Sequence, residues 1–319
     1  MAVVRAAVKF GTHHPRWKSS LVVAIPKPNK PNYSSPKAHR PIQLIECLGK
    51  LVEKIVAKRL LYDAGRYNLM PHNQFGGRFN ASCLDVALAL QHDIFEARRK
   101  GLVSSFLAMD IRGFFDHVNH DRMIHVLWKK GFPKEICKWV KSFLSDRTIH
   151  VHLDNYTSPR LDLKVGVPQG SPVSPSLACL YASEVLERFN ANPILSGLDI
   201  PCGARAYIDD FGFLAISDSL HDNTAVLKAS MTKAVALFSS IGMSLDPDKS
   251  DLMHFLSGLW FSRPIFHFYF DQLTSLSLTF LVLITLTYFL IFLYLKLCFH
   301  SDRSHHEERV KATIGFSGW

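Results

Sequence analysis

The stretch "AYIDDFGF", residues 206–213, places two adjacent carboxylates, Asp209 and Asp210, between two short runs of strand-forming residues. Strand formers on both sides of a tight turn predict a β-hairpin. Adjacent carboxylates repel each other unless a multivalent cation neutralises them, and hard oxygen ligands of this kind select Mg²⁺ or Mn²⁺. Paired aspartates are also common as solvated turn formers, so the pair alone does not decide between the two interpretations.

A third carboxylate, Asp110, directly follows the run "LVSSFLAM", residues 102–109, whose composition is typical of a strand. Together with the hairpin pair it would supply a site for two metal ions roughly 3.5 to 4 Å apart, which suits phosphoryl transfer. One ion would lower the pKa of an attacking hydroxyl and the other would stabilise the leaving oxygens. The ordered combination carries more weight than any single aspartate.

The rest of the chain up to residue 255 alternates helical and strand patterns, which indicates an α+β fold with mostly antiparallel strands. Strands are expected at residues 19–26 and in a hairpin on both sides of Asn155, and two short segments near 242–255 close this part of the chain. Helices are expected at residues 42–61, 82–100, 119–130, 133–144, from about 175, and at 223–241. Ser82 and Asp85 have capping-box-like spacing at the start of the second of these helices, and Asn119 is the expected N-cap of the third.

Charge is concentrated at one end of the chain. The first 60 residues hold twelve lysines and arginines against two acids, Glu46 and Glu53. The difference, +10, equals the formal net charge of the whole chain. A clustered excess of this kind is typical of a surface for nucleic acid or an anionic membrane, although a merely solvated basic face remains open. The six cysteines contain no CxxC pair, which argues against a zinc ribbon or a disulfide framework and fits a reducing compartment.

Residues 272–295 form a run of 24 residues without charge. As a helix this run would extend about 36 Å, enough to cross a bilayer, so it is a candidate transmembrane helix. The composition changes abruptly near residue 256. Residues 256–319 are therefore interpreted in one of two ways. They are either a tail that is unrelated to the preceding domain and is translated from non-coding sequence joined to it, or a real membrane anchor.

Three stretches in a fixed order resemble motifs A, B and C of the reverse transcriptases of non-LTR (LINE-type) retrotransposons. They are "MDIRGFFD" (109–116), "GVPQGSPVSP" (166–175) and "YIDD" (207–210), supported by "IPKPNK", "HRPIQLIECLGKLVEKIVAKRL", "NQFGGR" and "GMSLDPDKSDLMHF". The resemblance covers roughly residues 15–255. It implies a right-hand polymerase with fingers at about 1–108 and a palm with an antiparallel sheet at about 109–255, without a thumb.

The resemblance also implies roles for individual residues. Asp110, Asp209 and Asp210 match the carboxylates that bind two Mg²⁺ or Mn²⁺ ions. Phe115 matches the bulky gate beneath the sugar that favours deoxynucleotides, although plain core packing is the alternative. The remaining matches are Gln169 and Gly170 over the incoming base, Arg40 and Lys27 on the triphosphate, and Lys249 as a proton donor to the leaving pyrophosphate.

The implied function is an RNA-directed DNA polymerase that adds dNTPs to a DNA primer on an RNA template, in the nucleus or cytoplasm. No endonuclease precedes the polymerase motifs and no thumb follows them, so a truncated and inactive domain is one expectation. The alternatives are a non-catalytic RNA-binding remnant, a vestigial protein anchored in a membrane through residues 272–295, and a maturase of the group II intron type. The wording of "DIRGFFDHVNH" and "NQFGGR" favours the retrotransposon side over the maturases.

Overall fold

The computed structural model describes residues 2–153, 155–190, 200 and 202–255. These residues form an α+β fold with two sheets, which confirms the expected fold class. The helices are α1 (Ala2–Phe10), α2 (Cys47–Arg66), α3 (Cys83–Arg99), α4 (His120–Lys129), α5 (Lys134–Leu144), α6 (Ser174–Asn190) and α7 (Leu220–Ser240). The strands are β1 (Ser19–Pro26), β2 (His39–Leu44), β3 (Val103–Arg112), β4 (Arg147–Leu153), β5 (Tyr156–Thr157), β6 (Leu161–Leu163), β7 (Cys202–Tyr207), β8 (Asp210–Ser217) and β9 (Ser244–Phe255).

One sheet has four strands in the order β7-β8-β3-β9, and every pair in it is antiparallel. Strands β7 and β8 form the predicted hairpin, with Tyr207 opposite Asp210. Strand β3 lies between β8 and β9 and is buried along most of its length, as expected for a central strand of apolar residues. The register places Asp110 opposite Asp210, so the carboxylates predicted to act together lie on neighbouring strands.

The second sheet has five strands in the order β2-β1-β4-β5, and β6 also pairs with β4. Strand β1 pairs with β2 in antiparallel and with β4 in parallel fashion. The predicted hairpin around Asn155 is present as β4 and β5, with Leu153 opposite Tyr156. The parallel pairing of β1 and β4 joins two segments that are more than a hundred residues apart in sequence.

Helix α6 is the centre of the core, because its residues are buried on nearly every side. It contacts α2, α4, α7 and β7. Phe189 of α6 packs on Phe213 of β8 with ring centroids 4.4 Å apart, which fixes the helix on the sheet that carries the aspartates. Helix α3 begins at the predicted capping box of Ser82 and Asp85.

The structure differs from the sequence-based expectations at three elements. The helix expected to start at Ile42 starts at Cys47, because residues 39–44 form β2 and Pro41 favours extended backbone before it. Residues 2–10, for which no element was expected, form helix α1, whose Val4 is buried. The two short segments near 242–255 are one continuous strand, β9.

No helix in the described ranges is both long and apolar enough to cross a bilayer. The candidate transmembrane segment, residues 272–295, lies outside the described residues, as does the whole of the segment 256–319.

Candidate active site

The turn between β7 and β8 presents the aspartate pair. Ile208 has a left-handed backbone with φ of 55°, which a β-branched side chain rarely adopts. Such a conformation persists only where the surroundings hold it, and it is characteristic of functional turns. In this protein it turns the chain tightly enough that Asp209 lies at the tip and Asp210 begins β8.

Strand β3 brings Asp110 to the same edge of the sheet. Asp110 and Asp210 are partners in the antiparallel register. The backbone N–H of Ile111 donates to the carbonyl oxygen of Asp209 at 3.1 Å, which joins the tip of the hairpin to β3. The structure therefore brings all three predicted carboxylates together at one sheet edge, although they come from positions about a hundred residues apart.

Burial and mutual repulsion destabilise the ionised forms of Asp209 and Asp210. Burial, followed by the charge of Asp110, raises the pKa of Asp209. Burial, followed by the charges of Asp209 and Asp110, raises the pKa of Asp210 to about 7. Two carboxyl groups whose pKa values rise for these reasons favour either a proton or a cation as a partner.

Lys249 of β9 supplies one positive charge at this edge. Its Nζ donates to Oδ2 of Asp110 at 2.6 Å and lies 4.0 Å from Oδ2 of Asp246. Burial alone would lower the pKa of Lys249, but the hydrogen bond and the negative charges of Asp110, Asp246 and Asp209 raise it above its usual value. Lys249 is thus an internal counter-ion of the Asp110 carboxylate.

Lys27 and Arg40 lie at the end of the β1–β2 pair. Arg40 is opposite Ile25 in the register, and the backbone N–H of Lys27 donates to Ala38 O at 2.8 Å. Burial lowers the pKa of Lys27, and the charges of Lys249, Lys30 and Arg40 lower it further while Asp110 opposes them. Since charges on β3 and β9 act on Lys27, this end of the β1–β2 pair faces the aspartate edge.

The loop before α6 carries Gln169 and Gly170. The backbone N–H of Gln43 in β2 donates to Gln169 O at 2.7 Å. Gly170 has φ of +127°, and a Cβ atom there would lie 2.5 Å from the carbonyl oxygen of Gln43. Only glycine permits this close backbone approach, so β2 fixes the turn that was predicted to lie over the incoming base.

Phe115 follows β3 and is partly buried against the core. Its ring meets that of Phe114 edge to face, with centroids 5.4 Å apart. The backbone N–H of Val167 donates to Phe115 O at 2.8 Å, which ties the segment after β3 to the loop that leads to Gln169. Both packing and a gating role remain compatible with this position.

Sequence comparisons identify the protein family to which the chain belongs. Residues 25–285, well over half of the chain, match the family model described as "Reverse transcriptase (RNA-dependent DNA polymerase)". The chain belongs to the reverse transcriptase family. A "Probable RNA-directed DNA polymerase from transposon BS" of Drosophila melanogaster is 29% identical over 240 residues, which are 74% of this chain and 25% of that protein.

Other curated relatives of this reverse transcriptase chain also come from mobile elements. The "RNA-directed DNA polymerase from mobile element jockey" of Drosophila melanogaster is 29% identical and is matched over 71% of this chain and 24% of its own length. A "Retrovirus-related Pol polyprotein from type-1 retrotransposable element R2" of Popillia japonica is 26% identical over 73% of this chain and 32% of that protein. The chain therefore spans about a quarter to a third of these relatives.

Solved structures support the fold of the reverse transcriptase. Telomerase from Candida tropicalis in complex with a fragment of telomeric RNA superposes with a TM-score of 0.56 at 13% identity, over 76% of this chain and 42% of that chain. Apo telomerase from the same organism gives a TM-score of 0.53 at 14% identity, over 77% of this chain and 52% of that chain. At these identities the likeness concerns the fold alone.

Reverse transcriptases generally use divalent metal ions. The donor chemistry at this edge fits such a cation, because Asp209 and Asp210 form no ion pair with any residue that the structure describes. Within the same described ranges, no group of three or more His, Cys, Asp or Glu side chains is gathered closely enough to hold a metal ion. Lys249 occupies one of the three carboxylates through its hydrogen bond to Asp110.

Residues 73–77, which we call the brace segment, contact the β7–β8 turn; the sequence analysis used them only as part of a family motif and assigned them no structural role. Phe75 N–H donates to Ala206 O at 2.8 Å, and Ala206 N–H donates to Asn73 O at 2.9 Å. A Cβ atom on Gly76 would lie 2.2 Å from the backbone nitrogen of Ile208. The adjacent glycines in "NQFGGR" are the sequence signal that could have indicated a close backbone approach.

Proposed function

We propose that this chain is the nucleotide-adding part of an RNA-directed DNA polymerase that extends a DNA 3′-OH with dNTPs on an RNA template. The single observation that carries the proposal is the register of β3 and β8, which sets Asp110 beside Asp210 and the Asp209 tip. Family membership and the mobile-element relatives support the same reaction. A location in the nucleus or cytoplasm follows from this assignment.

The proposed site is the edge that contains the three aspartates. When bound there, two Mg²⁺ or Mn²⁺ ions would neutralise the carboxylates, activate the primer hydroxyl and stabilise the leaving pyrophosphate. Asp110 and Asp209 are the proposed direct ligands, with Asp210 in support. The raised pKa of Asp210, about 7, supports a site that favours a cation over a proton once the pH exceeds neutrality.

The surrounding residues are assigned to the nucleotide. Lys27 and Arg40 would bind the triphosphate by charge-assisted hydrogen bonds, in keeping with their position facing the aspartate edge. Gln169 and Gly170 would contact the base pair, and Phe115 would exclude a 2′-hydroxyl. Lys249 would release Asp110 and donate a proton to the pyrophosphate. In this proposal residues 1–108 correspond to fingers and residues 109–255 to a palm. The family match extends to residue 285, into the segment 256–319 that was expected to be a separate tail.

Primer extension tests the proposal. The purified chain is incubated with a DNA primer on an RNA template, dNTPs and Mg²⁺ or Mn²⁺, beside the Asp209→Asn variant. We expect metal-dependent incorporation that Asp209→Asn lowers by about 10²- to 10³-fold, the scale seen when one group that stabilises the transition state is removed. Asp218→Asn is the matched control, because Asp218 is exposed just beyond the opposite end of β8.

The outcomes separate the proposal from its main alternative. Incorporation that survives Asp209→Asn would refute the assigned site. Salt-sensitive RNA binding without incorporation in any variant would instead favour a non-catalytic RNA-binding protein that uses the basic N-terminal region.

A further inference from the structure

A buried carboxylate, Glu53 of α2, lies directly behind the loop that carries Gln169 and Gly170. Ser171, the next residue of that loop, donates its hydroxyl to Oε2 of Glu53 at 2.6 Å. Glu53 is fully buried and Ser171 is 4% exposed. The contact joins positions 118 residues apart and fixes the loop on a helix of the core.

The Ser171 bond stands out because Glu53 has few other partners. Its second oxygen, Oε1, makes no hydrogen bond within the described residues. His13 Nε2 lies 3.6 Å from that oxygen, and the buried Arg147 exerts an attractive charge on the carboxylate without forming an ion pair in the described part of the chain. Burying a carboxylate with a single hydrogen bond is costly, and an apolar side chain of similar size would generally serve packing better.

The loop has a second attachment that acts from the other side. Gln43 N–H donates to Gln169 O at 2.7 Å, and Oε1 of Gln43 accepts from Ser20 at 3.0 Å. Backbone contact to β2 therefore fixes residue 169, and side-chain contact to α2 fixes residue 171. Gly170 is held between the two, with φ of +127°.

We infer that Glu53 is a positioning residue that holds the 169–171 loop in its nucleotide-binding conformation through Ser171. The inference rests on the proposed function, since it concerns the loop that contacts the incoming base pair. Loss of the Glu53–Ser171 bond removes the side-chain contact of residue 171 with α2, so that residues 169 and 170 move relative to the aspartate edge. Displacements of this kind reduce productive nucleotide binding more than they reduce stability.

Steady-state kinetics with dNTP as the varied substrate test the inference in the full chain. We expect Ser171→Ala and Glu53→Leu each to raise the apparent KM for dNTP by about 10-fold, the equivalent of one lost hydrogen bond to a charged group. Glu53→Gln keeps an oxygen that accepts from Ser171, so its KM should stay within about 2-fold of wild type. The double variant Ser171→Ala/Glu53→Leu should be no worse than Ser171→Ala, because that single variant already removes the bond to Glu53.

Ser174→Ala is the matched control, because the Ser174 hydroxyl is buried near the same loop but has no hydrogen-bond partner among the described residues. Its KM should equal that of wild type. Hydrogen exchange at the amides of residues 169–171 supplies a readout that needs no catalysis; the Val173 amide is left out because it donates directly to the Ser171 hydroxyl at 3.2 Å. Exchange should be faster in Ser171→Ala and Glu53→Leu and unchanged in Ser174→Ala.

The outcomes distinguish a failure of the proposed polymerase function from a failure of the positioning role of Glu53. Absence of incorporation by the wild-type chain contradicts the proposed function, and the exchange data then decide the inference alone. The inference is overturned if Ser171→Ala and Glu53→Leu match Ser174→Ala in exchange at residues 169–171, or if an active chain keeps its wild-type KM in both variants.

Discussion

Gly76→Ala should displace the catalytic turn. The added Cβ would lie 2.2 Å from the nitrogen and 2.6 Å from Cγ1 of Ile208, and 2.9 Å from the carbonyl carbon of Tyr207. Ordinary van der Waals contact begins near 3.4 Å, so the backbone must move by about 1 Å. Two of the three neighbouring atoms belong to the backbone, which moves less readily than the end of a side chain. Because the turn carries Asp209 and Asp210, the shift moves two carboxylates away from Asp110.

The size of the effect follows from the same geometry. Overpacking of this kind costs about 1–3 kcal/mol of unfolding free energy. A misplacement of about 1 Å at a reacting centre costs about 10²-fold in rate. We therefore expect Gly76→Ala to lower kcat in primer extension by about 100-fold while the chain remains folded, as measured by urea denaturation on the same preparation.

Gly65→Ala is the matched control for the added methyl group. Gly65 lies in α2, is exposed, and has no atom within 4 Å of a Cβ built on it. Alanine in a helix is favoured over glycine by roughly 0.5–1 kcal/mol, so this variant should be slightly more stable and fully active. If Gly76→Ala keeps wild-type kcat, the brace segment does not position the aspartates and the reasoning fails.

Three further predictions concern other parts of the site and its support. Phe115→Val should raise the use of ribonucleotides relative to deoxynucleotides by at least about 10-fold in single-nucleotide extension; an unchanged ratio assigns Phe115 to packing. Lys249→Gln should tighten Mn²⁺ binding by about tenfold, about 1.4 kcal/mol, in spin-resonance titrations, because it removes the cation held on Asp110; equal or weaker binding contradicts the counter-ion role. His13→Gln should change the pH dependence of stability. Burial, followed by the charges of Arg147 and Lys18, lowers the pKa of His13 from 6.5 to about 3. The unfolded chain therefore binds this proton more readily than the folded chain, and the unfolding free energy falls as the pH decreases from 6.5 towards 3. Between pH 7 and 5 the loss should be about 2 kcal/mol in wild type relative to His13→Gln, and equal pH dependence of the two unfolding free energies would refute it.

Local signals in the sequence predicted the elements that local chemistry determines. The capping box of Ser82 and Asp85 and the N-cap Asn119 gave helix starts that agree with the structure. The apolar run before Asp110 gave β3, and paired strand formers around residues 208 and 209 gave the β7–β8 hairpin. For the site, the order of three motifs selected Asp110, Asp209 and Asp210, and the strand register sets Asp110 opposite Asp210.

Features that depend on contacts distant in sequence were not predicted. The apolar residues of 39–44 fit a helix as well as a strand, and only pairing with β1 decides the question. The sequence of helix α1 is short and interrupted by charged residues, so its local pattern did not indicate a helix. Its contact with the rest of the fold is visible only in the structure, where Val4 is buried. Glu53 looked like one acid in a basic helix, because nothing in its local sequence shows that Ser171 meets it in the core.

The position of β3 within its sheet has a consequence for how the protein matures. Its neighbours β8 and β9 are synthesised about 100 and about 130 residues later, and the residues that complete the edge come from all three strands. A nascent chain that has emerged only as far as β8 contains all three aspartates but not Lys249, the internal counter-ion of Asp110. Addition of the last strand completes the sheet and supplies that cation, and long-range pairing of this kind is slow.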